Sequence, residues 1–586
     1  MFKLFKNFTK KDIGMIILSI VLVVFQVWLD LKLPDYMSAI TRLVQTDGAA
    51  MADILRQGGY MLLCAFGSLI SACIVGFLAS NLSANFSYTL RSKVYNKVLN
   101  LSTAEVKQFQ TSSLITRTTN DITQLEMLIS IGLQLLIKAP IMAVWAITKI
   151  LNKSIEWSML TAGCVVILLC VVIGLMLIVL PRFEKVQKLI DKINNVTRES
   201  ITGIRVIRAF NAEKYQENRF EKVNDDLTNM QLFNQKCFAI LNPIMMLVMN
   251  GLTLGIYAIG TYLINNAIIG VKISLFSDMV IFSSYGIQVI MSFLMLAMIF
   301  MMWPRAQISA RRINEVLDCK VSIKDGKDDI KPTEVGTVEF KNVSFKYPDA
   351  DEYLLRNISF KVNKGETIAF IGSTGSGKSS LINLVPRFYD ATDGEVLVDG
   401  VNVKNYSLEE LHNKLGYIPQ KAVMFTGTVK SNVAYGTKKG KKPSDKKVSE
   451  AINIAQAEEF VSKMEGGLDA HIARGGTNVS GGQKQRLAIA RSIARDPEIY
   501  IFDDSFSALD YKTDATLRSE LKKYTKDATS MIVAQRIGTI INADKIVVLD
   551  KGTCVGIGTH QELLKNCEVY KEIALSQLSK EELENA

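Results

Sequence analysis

Six stretches of about 20 mostly apolar residues, all ending before residue 304, limit what the first half of this chain can become. In hydrocarbon every backbone polar group needs an internal partner, and runs this long and continuous meet that demand as helices. They are predicted at about 13–33, 59–80, 128–150, 157–180, 239–264 and 279–303. The first, fourth and sixth run into Pro34, Pro181 and Pro304. Each proline is read as a stop, since proline cannot continue the hydrogen-bond ladder. The rest of the 586-residue chain reads as a soluble α/β domain. The organisation expected is a membrane domain over 1–304, a polar linker over 305–334 and a second domain over 335–586.

The net charge of +11 falls mainly beside the apolar spans. Lys3, Lys6, Lys10 and Lys11 precede the first. Arg91, Lys93, Lys97, Lys107 and Arg117 lie between the second and third, and Arg182, Lys185, Lys188, Lys192, Arg198, Arg205, Arg208, Lys214 and Arg219 between the fourth and fifth. The positive-inside rule then places both termini and the two long loops in the cytoplasm. No base-reading motif accompanies the charge, so a nucleic-acid partner is not expected. The eight cysteines contain no C-x-x-C pair, which argues against zinc. Cys64, Cys73, Cys164 and Cys170, inside apolar runs, are read as buried free thiols.

The long loops, 82–127 and 182–238, mix apolar and charged residues at helical spacing. They read as spans extended into the cytoplasm, each turning through a short cross-piece, one near 102–110 and one near 212–220. Lys138 lies inside the third span, where a charge is costly and marks a function or a structural pair. The fifth and sixth spans carry Met245, Met246, Met249, Met291, Met295, Met298, Met301 and Met302. Flexible thioethers suit a surface that repacks around varied apolar ligands, or simply face lipid.

In the second half, residues 367–371 form a short apolar strand feeding Gly372, Ser373, Thr374, Gly375, Ser376, Gly377, Lys378, Ser379 and Ser380. Strand, glycine loop and helix start are the context a phosphate-cradling loop requires. Backbone N–H groups and the helix N-terminus face the phosphates, Lys378 reaches the β- and γ-phosphates, and Ser379 is a Mg²⁺ ligand. A second buried strand, 499–502, ends in Asp503, suited to hold Mg²⁺, and Asp504, placed to polarise an attacking water. Gln420 offers an amide to the metal or the water. Tyr347 offers a ring to an adenine.

Between these lies Val479-Ser480-Gly481-Gly482-Gln483, and after them Ser507-Ala508-Leu509-Asp510. With the phosphate loop, Gln420 and Tyr347, these make the chain resemble a half-transporter of the ABC exporter family over nearly its whole length. The resemblance implies six spans fused to one ABC-type ATPase, with ATP and Mg²⁺ as cofactors. It also implies a head-to-tail dimer in which each ATP lies between one chain's phosphate loop and the other's signature, here Ser480, Gly481, Gly482 and Gln483, with Asp510 alongside. The cross-pieces correspond to that family's coupling helices.

The chain departs from the family pattern where hydrolysis is concerned. Asp504 stands where a glutamate is usual, and Gln535 where a histidine is usual. The loop before the signature, around Arg474-Gly475-Gly476, lacks its usual acidic residue. This combination resembles the degenerate subunit of bacterial heterodimeric exporters. The expectation is ATP-driven export of hydrophobic or amphiphilic small molecules across the bacterial plasma membrane, in contact with membrane lipids. A second half-transporter would supply the glutamate and histidine, and this chain's own site would hydrolyse weakly. A dedicated lipid, peptide or metabolite transporter, and an ATP-gated regulatory or channel-like subunit, remain the alternatives.

Overall fold

The structure is a computed structural model. It describes residues 2–578 except 7, 47, 49, 152–154, 327–331, 437 and 439. The chain divides into two compact units, Met1–Leu99 with Thr111–Cys319, and Asn100–Gln110 with Lys320–Ala586.

The first unit is all helix. Its long elements are α1 (Lys10–Gln45), α2 (Met51–Leu99), α3 (Asn120–Leu151), α4 (Ile155–Thr202), α5 (Glu213–Asn266) and α6 (Ile269–Asp318). Each carries, alone or with the short helix before it, a stretch long and apolar enough to cross a membrane. Leu62, Leu63, Phe77, Leu177, Leu247 and Leu254 are exposed, the reverse of a water-soluble bundle. The interior is built from Val27, Leu31, Trp157, Leu252, Phe282 and Tyr285. Close approach there depends on glycine. A Cβ at Gly260 would meet Met279 Sδ at 2.4 Å, and one at Gly286 would meet Leu252 Cδ2 at 2.8 Å.

Pro34, Pro181 and Pro304 do not stop their helices. All three lie inside them, as do Pro140 and Pro243. A proline removes one backbone bond, whereas a helix end leaves four carbonyls to be satisfied. In or near hydrocarbon, continuing is the cheaper course. Residues 305–318 accordingly continue α6, and part of the segment read as linker, 327–331, lies outside the described residues.

The first cross-piece is the short helix Thr103–Phe109, started by a Ser102/Glu105 capping box. The second differs from expectation. It is Ile204–Ala209, and residues 213–220 already belong to α5. Gly203 before it and Asn211 after it, at φ 50°, make the turns that the helical pattern concealed.

Lys138 is paired within this unit. Its ammonium lies 3.0 Å from Asp30 Oδ2, and Lys149 lies 2.9 Å from Asp35, so α3 and α1 are joined by two ion pairs. All eight cysteines are free thiols, but none of the four expected to be buried is so: Cys73 and Cys170 are exposed, and Cys64 and Cys164 are only partly buried.

The second unit holds two main sheets. A four-stranded antiparallel sheet comprises β1 (Val338–Phe345), β2 (Leu355–Val362), β4 (Asp393–Val398) and β5 (Val401–Asn402), in the order β2-β1-β4-β5. The other is mostly parallel. It comprises β3 (Thr367–Gly372), β6 (Leu415–Ile418), β7 (Ile499–Asp503), β8 (Thr529–Val533), β9 (Lys545–Asp550) and β10 (Thr553–Gly558), in the order β10-β9-β3-β8-β7-β6. β7 is buried at every residue, as a strand covered on both faces must be. Val533 pairs with both Phe370 and Asp503. That register brings the C-terminal ends of β3, β7 and β8 together, where ligands of open α/β sheets bind.

Candidate nucleotide site

β3 runs into the phosphate loop, and α7 (Lys378–Ile382) leaves it. Glycine is obligatory at two positions. Gly372 (φ 155°) carries no Cβ because one would sit 2.0 Å from Leu549 O, and Gly377 (φ 94°) because one would sit 2.5 Å from Leu355 Cδ2. The crest formed by Ser373, Thr374 and Gly375 is exposed, while Ser376 is buried beneath it. Lys378 folds back over the loop, its Nζ donating to Gly372 O at 2.9 Å and Ser373 O at 2.8 Å. Burial pushes its pKa down, against the opposing pull of Asp504 and Asp503. The loop thus presents an exposed, N–H-rich concavity with a cation at its floor, which fits a polyphosphate.

Ser379 Oγ donates to Asp503 Oδ1 at 2.6 Å. Two oxygen donors from different elements converge, a hydroxyl and a carboxylate, which suits Mg²⁺. Burial pushes the Asp503 pKa up, opposed by hydrogen bonds from Ser379 and Tyr417. Tyr417 is a site residue the sequence did not single out. Its hydroxyl reaches Asp503 Oδ2 at 3.4 Å and Asn383 Oδ1 at 3.0 Å. Among the described residues no cluster of three or more His, Cys, Asp or Glu competes as a metal centre.

Asp504 adopts φ 48°, a backbone region Asp tolerates better than most residues, with its N–H on Val533 O at 3.1 Å. Its Oδ2 accepts from Gln535 Nε2 at 2.7 Å and from Gln420 Nε2 at 3.2 Å. The three residues of the expected hydrolytic chemistry are therefore gathered, with both amides bonded to Asp504. Burial raises the Asp504 pKa, partly offset by Gln420, Ser507 and Gln535. A cavity of about 240 Å³ opens beside it, lined by Phe506, Ser507, Ala534, Gln535, Arg536 and others.

The segment Gln535–Ile537, the switch of this site, is clamped from the C-terminal segment, which no motif announces. The Gln577 amide donates to Gln535 O at 2.8 Å and accepts from Ile537 N at 2.9 Å.

Tyr347 shares a 2.8 Å hydrogen bond with Ser380 Oγ, which ties it to the phosphate-loop helix. Its ring stands edge-on to Phe345 and Tyr389.

The signature residues lie elsewhere on this unit. Ser480 caps α8 (Gly481–Arg495), accepting from Gln483 N while Gln483 Oε1 accepts from Ser480 N. Ser480 and Gly481 are exposed, so a second helix N-terminus is open to an anion. Asp510 caps α9 (Tyr511–Tyr524) by accepting from Thr513 N at 2.9 Å.

Family models of the ABC transporter transmembrane region and of the ABC transporter match residues 16–293 and 355–507. An uncharacterized ABC transporter ATP-binding protein of Mycobacterium tuberculosis is 37% identical over 554 residues, 92% of this chain and 93% of that protein. A probable multidrug resistance ABC transporter ATP-binding/permease protein of Bacillus subtilis is 31% identical over 488 residues, 82% of this chain and 81% of that protein. Among solved structures, a bacterial Atm1-family ABC exporter with ATP bound gives a TM-score of 0.82 at 24% identity, covering 96% of this chain and 99% of that one, a likeness of fold. The chain belongs to the ABC transporter family, as a half-transporter whose all-α membrane domain is fused to an ATPase that couples ATP hydrolysis to transport.

Proposed function

We propose that this chain is the degenerate-site half of a heterodimeric exporter of hydrophobic or amphiphilic small molecules. The observation that carries the reading is the state of Asp504. Its carboxylate is one methylene shorter than the usual glutamate, and Gln420 and Gln535 both donate to its Oδ2. An oxygen displaced by about 1 Å from the attacking water costs on the order of a hundredfold in rate. Gln535 donates a hydrogen bond but cannot become cationic to offset developing charge.

Binding is supported where hydrolysis is impaired. The backbone of 372–380 and Lys378 hold the triphosphate, Ser379 and Asp503 hold Mg²⁺, and Tyr347 faces the adenine. A Mg²⁺ ion held by Ser379 and Asp503 would offset the negative charge of the phosphates. In the partner's site, this chain contributes Ser480 and Gly482, while the partner contributes glutamate and histidine. ATP binding closes the nucleotide domains, the cross-pieces pass that motion to the spans, and the cavity between the membrane halves changes its opening. In this reading the nucleotide domain and both termini lie in the cytoplasm of a bacterial cell, which the basic loops support.

The relatives named for multidrug resistance or export support an amphiphilic cargo. So do the exposed thioethers of Met246, Met291 and Met298, which offer an adaptable apolar surface. The test is ATPase activity of the assembly purified from native membranes. Asp504→Glu combined with Gln535→His raises turnover, by up to about twofold as a second competent site joins the partner's. No gain contradicts the proposal.

A further inference from the structure

We infer that Lys107, on the short helix Thr103–Phe109, is a positioning residue that backs the nucleobase platform of this chain's own ATP site. The inference rests on reading Tyr347 as that platform.

The short helix is fixed beside the platform by its own start. Glu105, almost fully buried, accepts from Ser102 N at 2.7 Å and from Ser322 N at 3.3 Å. Despite burial, hydrogen bonds from Ser102 and Ser322 hold its carboxyl below the usual range, so it remains an acceptor. The Ser102 and Ser322 hydroxyls share a further bond of 3.2 Å. Ala104 packs against the cluster that contains Phe345 and Tyr389. A cavity of about 260 Å³ remains next to it, lined by Ala104, Ile323, Tyr347, Pro348 and Tyr389 among others.

From this fixed helix Lys107 Nζ reaches over two rings, 5.5 Å from the centroid of Tyr347 and 5.8 Å from that of Tyr389. The Tyr389 hydroxyl holds the Lys107 pKa above its ordinary value against the pull of burial, so the cation persists at neutral pH. Tyr389 in turn stands edge-on to Tyr347, with centroids 5.2 Å apart and planes at 88°. Tyr347 is bonded through its hydroxyl to Ser380 on the phosphate-loop helix. A chain of contacts therefore runs from the cross-piece through one ammonium and one phenol to the loop that holds the phosphates.

A cation at an aromatic face attracts the ring's π density and restricts the ring's orientation. Both effects favour a base stacked on Tyr347. A lysine that merely covers apolar surface with its stem does neither, because its charge is then irrelevant. The charge is thus what the experiment must isolate.

The test uses the full transporter in lipid nanodiscs, with azido-ATP photolabelling read on this chain so that the partner's site does not contribute. The variants are Lys107→Ala, Lys107→Met (which keeps the stem), Lys107→Arg (which keeps the charge) and Tyr347→Ala. Lys107→Ala and Lys107→Met are expected to raise the half-saturating ATP concentration about two- to fivefold. Labelling at saturation and maximal turnover are unchanged, and Lys107→Arg restores the original affinity. Tyr347→Ala weakens labelling at least as much, and adding Lys107→Ala to it costs nothing more, because the two act as one unit. Unchanged affinity in Lys107→Met, or full additivity with Tyr347→Ala, overturns the role of Lys107 and leaves Tyr347 standing. Unchanged affinity in Tyr347→Ala overturns the platform reading itself.

Discussion

Asp504 is where the individuality of this chain is concentrated. It is buried, set at a positive φ, and held through one oxygen by two amides. The switch beside it is fixed by Gln577 through two backbone hydrogen bonds. In the Asp504→Glu/Gln535→His background, Gln577→Ala is expected to lower the turnover gained by that double change about three- to tenfold with the ATP half-saturation unchanged. An ATP titration of activity checks this, and a shift in half-saturation alone would speak against a clamp. Gly377→Ala is a second prediction. The residue sits at φ 94° with Leu355 where its methyl would go, so the nucleotide domain loses about 1–3 kcal/mol and ATP labelling falls. Thermal unfolding with and without ATP measures both effects. The phosphate loop was legible in the sequence because its requirements are local: a strand, obligatory glycines and a helix start within the fourteen residues 367–380. Gln577, Tyr417 and Lys107 were not, because each meets its partner only after distant strands and helices are assembled.

At the scale of elements, hydropathy located all six spans but not their ends. Length is a property of composition, whereas a helix end depends on what the backbone would meet there. Pro34, Pro181 and Pro304 look like stops in isolation and are passed over in the folded chain. The second cross-piece was misplaced for a related reason. Gly203 and Asn211 interrupt an otherwise continuous helical pattern, and a single glycine in such a pattern is a weak signal. Lys138 illustrates a different limit. Its position inside a span was visible, and its partner Asp30 was not, since 108 positions separate them. Removing one member leaves the other uncompensated in an apolar setting. Both side chains are only partly buried and Asp30 keeps a hydrogen bond from Ser68, so Lys138→Ala is expected to destabilise the membrane domain by about 1–3 kcal/mol. The double change Asp30→Asn/Lys138→Met should recover most of that loss. Thermal stability of the detergent-solubilised transporter checks it, and equal stability of all three proteins would show the pair to be dispensable.

At the scale of the whole molecule, the fusion of a six-helix membrane domain to an ABC-type ATPase was legible from two independent signals, apolar length and phosphate-loop context. The structure and the relatives agree with both. On the proposed reading, this chain's Asp504 and Gln535 belong to one ATP site, and a second nucleotide domain meets the exposed Ser480 helix start at the other. The proposed division of labour, binding here and cleavage with a partner, follows from the two substitutions and from the intact phosphate loop. The most direct measurement is to purify this chain without any partner and record ATP photolabelling and ATP turnover on the same sample. The account predicts that the chain labels with ATP while its turnover stays about tenfold or more below that of the native assembly. Rapid hydrolysis together with transport by this chain alone would contradict it.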